Sequence, residues 1–441
     1  MSNETKTTEK QLSPIAKYHK FNRYGIPTEI IDFEIVRTIK EQVKMMVIDK
    51  QLYIYDSGVF TVDEGEIKAK AYISHLIFPE LQRIDRIDRV CRLLMIDADL
   101  NTTFLEVNRH EDYVINVKNG MLDLLTMKLL EHRADYYRSI NQIPFEYDPD
   151  FDTSGTVTEE FINGILPNAE DRQMFLEYAG YCLTKDMSNQ KFMIIYGQGN
   201  TGKSELVNLV ERTVGEGNIS PLTIQNTNDR FSPYFLRGKL LNVNADISSE
   251  AMPDSAGLKK IVGGDTVRAE IKGGKVFSFK PYAKLLFSAN RIPEVKDDKT
   301  NAFFRRLLIL TVNQRCHEIK HLSRKLEKET ARGVFFHMAV RAVHNMYAED
   351  RPILESESCK EAIQNFYNAT DSVMAFMDER TEQGAEFKET RERLYDAYSS
   401  YCFNEGRQTK GRNGFYQNLS DKGIKKKKIG GAWYFIGLRI V

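Results

Sequence analysis

Residues 197–204 read Gly-Gln-Gly-Asn-Thr-Gly-Lys-Ser, a GxxxxGKS run. A run of this kind suits a polyphosphate. Gly197, Gly199 and Gly202 let the backbone close around phosphate oxygens. The amides of Asn200 and Thr201 and the start of a following helix then face the anion. Lys203 is placed to reach the β and γ phosphates and the Ser204 hydroxyl to ligate Mg²⁺, so ATP with Mg²⁺ is the expected pair. A second component is needed: an acid at the end of another strand. The run Leu240 to Ala245 leads into Asp246, which would hold the metal or polarise water; Glu250 is a weaker candidate. From this run alone, Asp246 also reads as a cap on the segment that follows.

These residues need a rigid frame. Phe192–Tyr196 is a short apolar run before the loop, and a helix is expected from the loop to about Val214. Apolar runs at 240–243, 284–288 and 307–310 alternate with helical stretches, which predicts an α/β fold with a parallel sheet covered on both faces. Upstream, the pattern predicts a helix over 29–48 and a hairpin over 52–62 turning at Asp56-Ser57-Gly58. Helices follow at 65–78 and 82–96, short strands in 113–132, then helices at 158–164 and 169–184. Proline, glycine and acidic residues mark 144–157 as a linker, and Pro352 marks another. A helix is expected over 319–347. The tail, about 358–441, reads as helices followed by a β-ribbon turning at Gly430-Gly431.

The chain has 441 residues, 62 Lys+Arg and 62 Asp+Glu, so its formal charge is zero, which excludes a wholly basic or acidic chain. The balance is uneven locally. Residues 146–177 carry nine acids and one base, and residues 406–441 nine bases and one acid, an asymmetry that can mark a nucleic-acid-facing end. The five cysteines are widely spaced and no HxH or HExxH pair occurs, so neither a disulfide framework nor a structural zinc is expected. No apolar run reaches the length of a membrane span and the N-terminus lacks a secretory pattern, so the expected location is cytoplasmic, with no membrane partner. Asp97-x-Asp99 resembles a metal-binding DxD superficially but ends an expected helix, and it is read as structural.

Three further features follow the loop in order. Leu258 to Asp265 leads into a hairpin-like run, Val267 to Phe279, with Lys272-Gly273-Gly274-Lys275 at its tip. The strand 284–288 ends in Ser288-Ala289-Asn290. Ala302-Phe303-Phe304-Arg305-Arg306 then enters the strand at 307–310. With GQGNTGKS, KLLNVNADIS, LKKIVGGDTV, KLLFSANRIP and NAFFRRLLIL in sequence, the chain resembles the superfamily 3 AAA+ helicases, in the phage and plasmid primase–helicase branch that includes the poxvirus primase–helicases. INVKNGMLDLLTMKLLEH and PFEYDPD resemble the region preceding the motor in that branch. The resemblance covers about 110–345.

It implies an AAA+ P-loop core at 188–350. The pattern around it adds a mixed, mainly helical N-terminal domain at 1–187 and, from helices followed by a basic β-ribbon, a winged-helix-like C-terminal domain at 355–441. The resemblance implies that Asn290 senses the γ-phosphate, that Arg306 (with Arg305 the alternative) reaches a neighbouring subunit's ATP, and that Lys272 and Lys275 grip DNA. The implied activity is ATP-dependent 3′→5′ unwinding of DNA for a mobile element or phage, inside the bacterial host if so encoded. A hexameric homo-oligomer would hold one strand in a central pore, with a replication initiator or primase as partner. Relatives often carry two acids or a glutamate where Asp246 stands alone, and primase activity is not expected. Lys425, Lys426, Lys427 and Lys428, beside Trp433, Tyr434 and Phe435, suit nucleic acid, or else a lysine-rich strand edge that blocks aggregation. Two other functions fit a phosphate loop: a DNA-binding initiator whose ATPase is a switch, and a non-motor kinase. The kinase has no use for the lysine hairpin or the arginine pair.

Overall fold

The computed structural model describes residues 13–199, 201–245, 247, 255–270, 276–292, 302–314, 320–405, 407 and 409–441. β1 (His19–Phe21) and β2 (Pro27–Ile30) form an antiparallel pair ahead of α1 (Asp32–Gln42). β3 (Met45–Ile48), β4 (Gln51–Asp56) and β5 (Val59–Val62) follow, then α2 (Ile67–His75), α3 (Ile84–Ile96) and β6 (Asn101–Thr102), giving a four-stranded sheet in the order β5-β4-β3-β6.

The helix expected over 29–48 is thus only α1, and Met45–Ile48 is a strand. The reason lies in packing. Met45 and Val47 enter the core under α1–α3 with Ile35, Ile39 and Leu94, whereas Met46 and Ile48 enter a second cluster with Tyr53 and Phe60. An apolar run covered on both faces keeps no helical or alternating pattern to read. With three more strands downstream, β7 (Val114–Val117), β8 (Gly120–Asp123) and β9 (Lys128–Leu130), the N-terminal part is a mixture of strands and helices rather than mainly helical. Asp97 and Asp99 both take the Lys40 ammonium, at 2.8 and 2.7 Å, which is a structural use of the DxD.

After α4 (Ala134–Tyr137), residues 144–157 are packed against the body of the protein. Phe151 stacks on His337 with ring centres 4.2 Å apart, and the Asp148 amide donates to His337 Nε2 at 3.1 Å. α5 (Val157–Ile165) and α6 (Ala169–Tyr181) start at polar caps, Thr156 accepting from the Glu159 amide and Asn168 from the Glu170 amide. Their buried faces join the large core of the following unit through Phe161, Ile165, Phe175 and Tyr178, so the apolar core runs across residue 187.

That unit is a five-stranded parallel sheet. Its elements are β10 (Phe192–Tyr196), α7 (Lys203–Val214), β11 (Ile219–Ser220), β12 (Leu241–Asn244), α8 (Ala256–Val262), the antiparallel pair β13 (Val267–Glu270) and β14 (Val276–Phe279), β15 (Lys284–Ala289) and β16 (Leu307–Thr311). The order is β11-β12-β15-β10-β16. β15 is buried throughout and β10 up to its last residue, Tyr196, as a sheet covered on both faces requires. α9 (Leu322–Ala331) and α10 (Val334–Ala348) replace the single helix expected there, because Gly333 takes a left-handed φ of 82° between them.

α11 (Glu357–Thr370) follows, and Phe366 on this helix meets Phe304 beside β16. The chain around Pro352 is clamped: both oxygens of the buried Glu177 carboxylate take the Arg351 guanidinium, at 2.7 and 3.0 Å, and the Leu354 amide adds a third bond at 2.8 Å. The last unit runs α12 (Ser372–Arg380), β17 (Thr381–Thr390), α13 (Arg391–Asn404), α14 (Arg412–Asp421), β18 (Lys425–Ile429) and β19 (Ala432–Ile440). Its sheet order is β17-β19-β18, and it has its own core of Phe376, Leu394, Tyr398, Phe415, Leu419 and Phe435. No helix among the described residues is long and apolar enough to cross a membrane.

Candidate nucleotide-binding site

The glycine-rich run lies between the end of β10 and the start of α7. Gly197 has no room for a side chain: a Cβ there would stand 2.2 Å from the Val312 carbonyl oxygen, just past β16. Gly202 has a φ of 89° and lies over α5, where a Cβ would meet Ile165 at 2.7 Å. Gly199 has nothing within 4 Å of a built Cβ. Thr201 braces the loop, its hydroxyl donating to the Gln198 carbonyl at 3.0 Å. α7 then buries Leu206, Leu209, Val210 and Val214 against the sheet, which fixes the direction of its N-terminus. Asn200 lies outside the described residues.

Lys203, 7 % exposed, turns back into the loop. Its ammonium donates to the Gly197 and Gln198 carbonyls at 2.5 and 2.7 Å and to Asn290 Oδ1 at 3.0 Å. Asn290 stands one residue past β15, which lies beside β10 with Tyr196 level with Ala289. The sheet therefore brings Lys203 and Asn290 together from positions 87 residues apart. Ser204, in the first turn of α7, is exposed. A concave run of backbone with a cation inside it and a hydroxyl beside it fits a polyphosphate with its divalent cation.

Asp246 and Glu250 lie outside the described residues. The strand that leads to Asp246, β12, adjoins β15. The buried Asn242 ties it to the segment after β11: its side chain accepts from the Leu222 amide at 2.7 Å and donates to the Leu222 carbonyl at 2.9 Å.

Arg305 and Arg306 are at the opposite end of the strands, ahead of β16. β16 runs parallel to β10, with Phe192 level with Leu307 and Tyr196 level with Thr311. The arginines precede Leu307, so they flank the start of the strands, whereas the phosphate loop follows their end. At about 3.3 Å per residue, the four steps of β10 alone separate the two places by roughly 13 Å. Arg305 is exposed, and its carbonyl accepts from Lys191 at 2.6 Å. Arg306 is half-buried and donates to the Ala302 carbonyl at 2.8 Å.

Lys272 and Lys275 lie outside the described residues, while the legs of their hairpin, β13 and β14, are in place. Lys425, Lys426, Lys427 and Lys428 are all exposed, on the edge strand of the C-terminal sheet. They are in a different unit from the phosphate loop. Sequence reasoning missed the supports: Val312 behind Gly197 and Ile165 beneath Gly202 are apolar residues with no local signal of their role.

Comparison with known proteins adds family-level context. Residues 35–167 match the family described as "D5 N terminal like", and residues 195–306 match a family of unknown function, DUF5906. The second match begins in β10 and ends at Arg306, spanning the phosphate loop, Asn290 and the arginine pair. The protein is 25 % identical over 257 residues to "Putative helicase L207/L206" of Acanthamoeba polyphaga mimivirus, an alignment covering 53 % of this chain and 25 % of that protein. The chain thus spans about a quarter of the length of the curated relative it matches. Among solved structures, two apo structures of the NrS-1 C-terminal region share its fold at 13 % identity, each with a TM-score of 0.51. They cover 92 and 93 % of this chain, and 99 and 100 % of their own chains are covered. The D5-like segment and the viral helicase relative are similarities of parts of this chain, and the solved structures show its fold.

Proposed function

We propose that this chain is an ATP-driven DNA helicase of the superfamily 3 AAA+ type, acting as a ring-shaped hexamer. The observation that carries the reading is the separation of Lys203 and Asn290, together past the C-terminal ends of the central strands, from Arg305-Arg306 at the N-terminal start of β16. A cation that stabilises charge on the γ-phosphoryl group must come close to it. On this frame the arginine pair is distant from its own chain's loop and serves the loop of a neighbour. The strand order β11-β12-β15-β10-β16, with the phosphate-loop strand beside the last strand, supports the AAA+ assignment.

In this reading the loop amides and Lys203 bind and neutralise the β and γ phosphates. Ser204 and Asp246 would hold Mg²⁺, which would offset negative charge on the phosphate oxygens. Asn290 reads whether the γ-phosphate is present, and Arg306 completes the site across the subunit boundary. The β13–β14 hairpin carries Lys272 and Lys275 to the DNA strand. The resemblance to the primase–helicase branch gives 3′→5′ movement. The C-terminal unit, with its helix–strand–helix–helix–strand–strand order, is a winged helix that captures DNA. The test is fork unwinding with ATP, run beside mass measurement with and without DNA. DNA-stimulated hydrolysis without strand separation would assign the chain instead to the initiators with a switch ATPase.

A further inference from the structure

We infer that the C-terminal unit reads the sequence of duplex DNA, through the outward face of α14. This rests on the reading of that unit as a DNA-capturing winged helix and names its ligand and the residues that discriminate. At 100° per residue, Phe415 and Leu419 fix which side of α14 is inward, and both are fully buried. The opposite side presents Asn413 and Gln417, one turn apart and exposed, with Gly414 beside them. The first two turns of this face are therefore neutral and carry two amides and a residue without a side chain. One turn on, the exposed Asp421 ends the same face, and its Oδ1 accepts from Gln417 Nε2 at 2.8 Å.

Cations frame the neutral strip. Arg412 is exposed at the N-terminal end, its guanidinium 5.2 Å from the centre of the Tyr395 ring. Lys425, Lys426, Lys427 and Lys428 are exposed on β18, two residues after the helix is closed by Lys422 and Gly423. The buried Asp371 is answered by Lys410 at 3.1 Å and Lys422 at 2.7 Å, so its charge does not oppose the face.

This arrangement suits a duplex rather than a single strand. A single strand is held chiefly by stacked aromatics along a basic groove. The rings on α14 are turned away: Phe415 stacks on Tyr398 in the core, and the Tyr416 hydroxyl donates to the Arg391 carbonyl. The exposed Trp433 is level with Lys428 on the ribbon, not on this helix face. A major groove admits one helix, and asparagine and glutamine amides match the donor and acceptor pair of adenine. Lysines on the adjacent ribbon would meet phosphates, which position the helix without reading sequence.

The experiment is selection from a random-sequence duplex pool with the full chain, followed by binding of the enriched site against scrambled duplex and single strand. The wild-type protein should enrich a defined site. N413A/Q417A should lose about 10- to 100-fold of the preference for that site over scrambled duplex, with the salt dependence of binding unchanged. K425A/K427A should weaken binding to every duplex alike and reduce the salt slope by about one per lost contact. Because all four side chains are exposed, these variants leave the core intact. No enrichment, full preference retained in N413A/Q417A, or equal binding to single strand would overturn the inference. Fork unwinding in the same preparations separates the two readings. Unwinding without enrichment rejects sequence reading alone, and enrichment without unwinding rejects the helicase alone.

Discussion

The ammonium of Lys203 lies 3.0 Å from the side-chain oxygen of Asn290, so the lysine of the phosphate loop and the residue just past the adjacent strand share a hydrogen bond. Two loop carbonyls take the rest of the ammonium's donors. A γ-phosphate would compete for the same cation, which makes Asn290 responsive to what occupies the loop.

Replacing Lys203 with alanine removes the cation facing the β and γ phosphates. ATP hydrolysis should fall by about 10²- to 10³-fold or more, the scale of removing one electrostatic stabiliser of a transition state. Steady-state turnover on purified, folded protein measures it, and normal hydrolysis would reject the phosphate-loop assignment.

Arg306→Ala should leave nucleotide binding close to wild type and slow turnover on the order of 10³-fold, as for an arginine acting on the γ-phosphoryl group. The sheet register places Arg306 away from its own loop, so mixing this variant with Lys203→Ala protein should restore part of the activity. Some interfaces then carry both an intact loop and an intact arginine. No recovery in rings shown to exchange subunits would reject action in trans. Arg305→Ala decides which arginine of the pair is used.

What the sequence exposes and what it hides differ for a physical reason. The phosphate loop, the strand at 192–196 and the hairpin turning at Ser57-Gly58 depend on local chemistry: glycines that must turn and an apolar run bounded by turn residues. Met45–Ile48 was read as helix because every residue of it is buried, two into each of two clusters. Residues 144–157 read as a linker because prolines and acids dominate it, yet Phe145 stacks on Phe336 and Phe151 on His337, partners nearly two hundred residues away. The Lys203–Asn290 contact is a product of the strand order, which no local pattern states.

Gly197→Ala tests the loop by shape rather than charge. The added methyl would meet the Val312 carbonyl oxygen at 2.2 Å, a backbone atom that cannot rotate aside. The loop must shift, and ATP affinity should fall at least tenfold by direct titration. Gly199→Ala, where nothing lies within 4 Å, should retain more affinity. Equal losses would show that the close approach at Val312 does not shape the site.

The hairpin lysines separate motor from switch. Replacing Lys272 and Lys275 together removes two phosphate contacts per subunit, and a ring multiplies the loss. DNA stimulation of hydrolysis and unwinding should fall together relative to turnover without DNA, and binding should become less salt-sensitive. Replacing the exposed Lys425 and Lys427 with alanine should weaken the first capture of DNA and spare unwinding on threaded substrates. Unwinding at the wild-type rate by the variant lacking Lys272 and Lys275 would reject the hairpin's role.

Lys284 supplies the last prediction. It lies on the central strand β15, 1 % exposed, donating to the Thr184 carbonyl at 2.5 Å and the Tyr282 carbonyl at 3.2 Å, with the Tyr181 ring centre 4.6 Å away. Burial, without a carboxylate in contact, lowers its pKa to about 8. Between about pH 8 and the ordinary lysine value near 10.4, the unfolded chain therefore binds a proton that the folded chain does not. Stability contributed by this group must rise with pH through that window, because the unfolded state holds more protons there. Other lysines, such as Lys40 with its raised pKa, push the opposite way, so the measurement has to be a difference. Lys284→Met removes the titrating group while keeping an unbranched side chain one atom shorter. The variant costs the two carbonyls their donor at every pH, but it also removes the penalty on the buried cation. Its stability relative to wild type should be most favourable below pH 8 and should decline steadily toward pH 10. Denaturant midpoints of both proteins at several pH values report this, and a gap that does not change between pH 7.5 and 10 would mean that Lys284 keeps an ordinary lysine pKa inside the sheet.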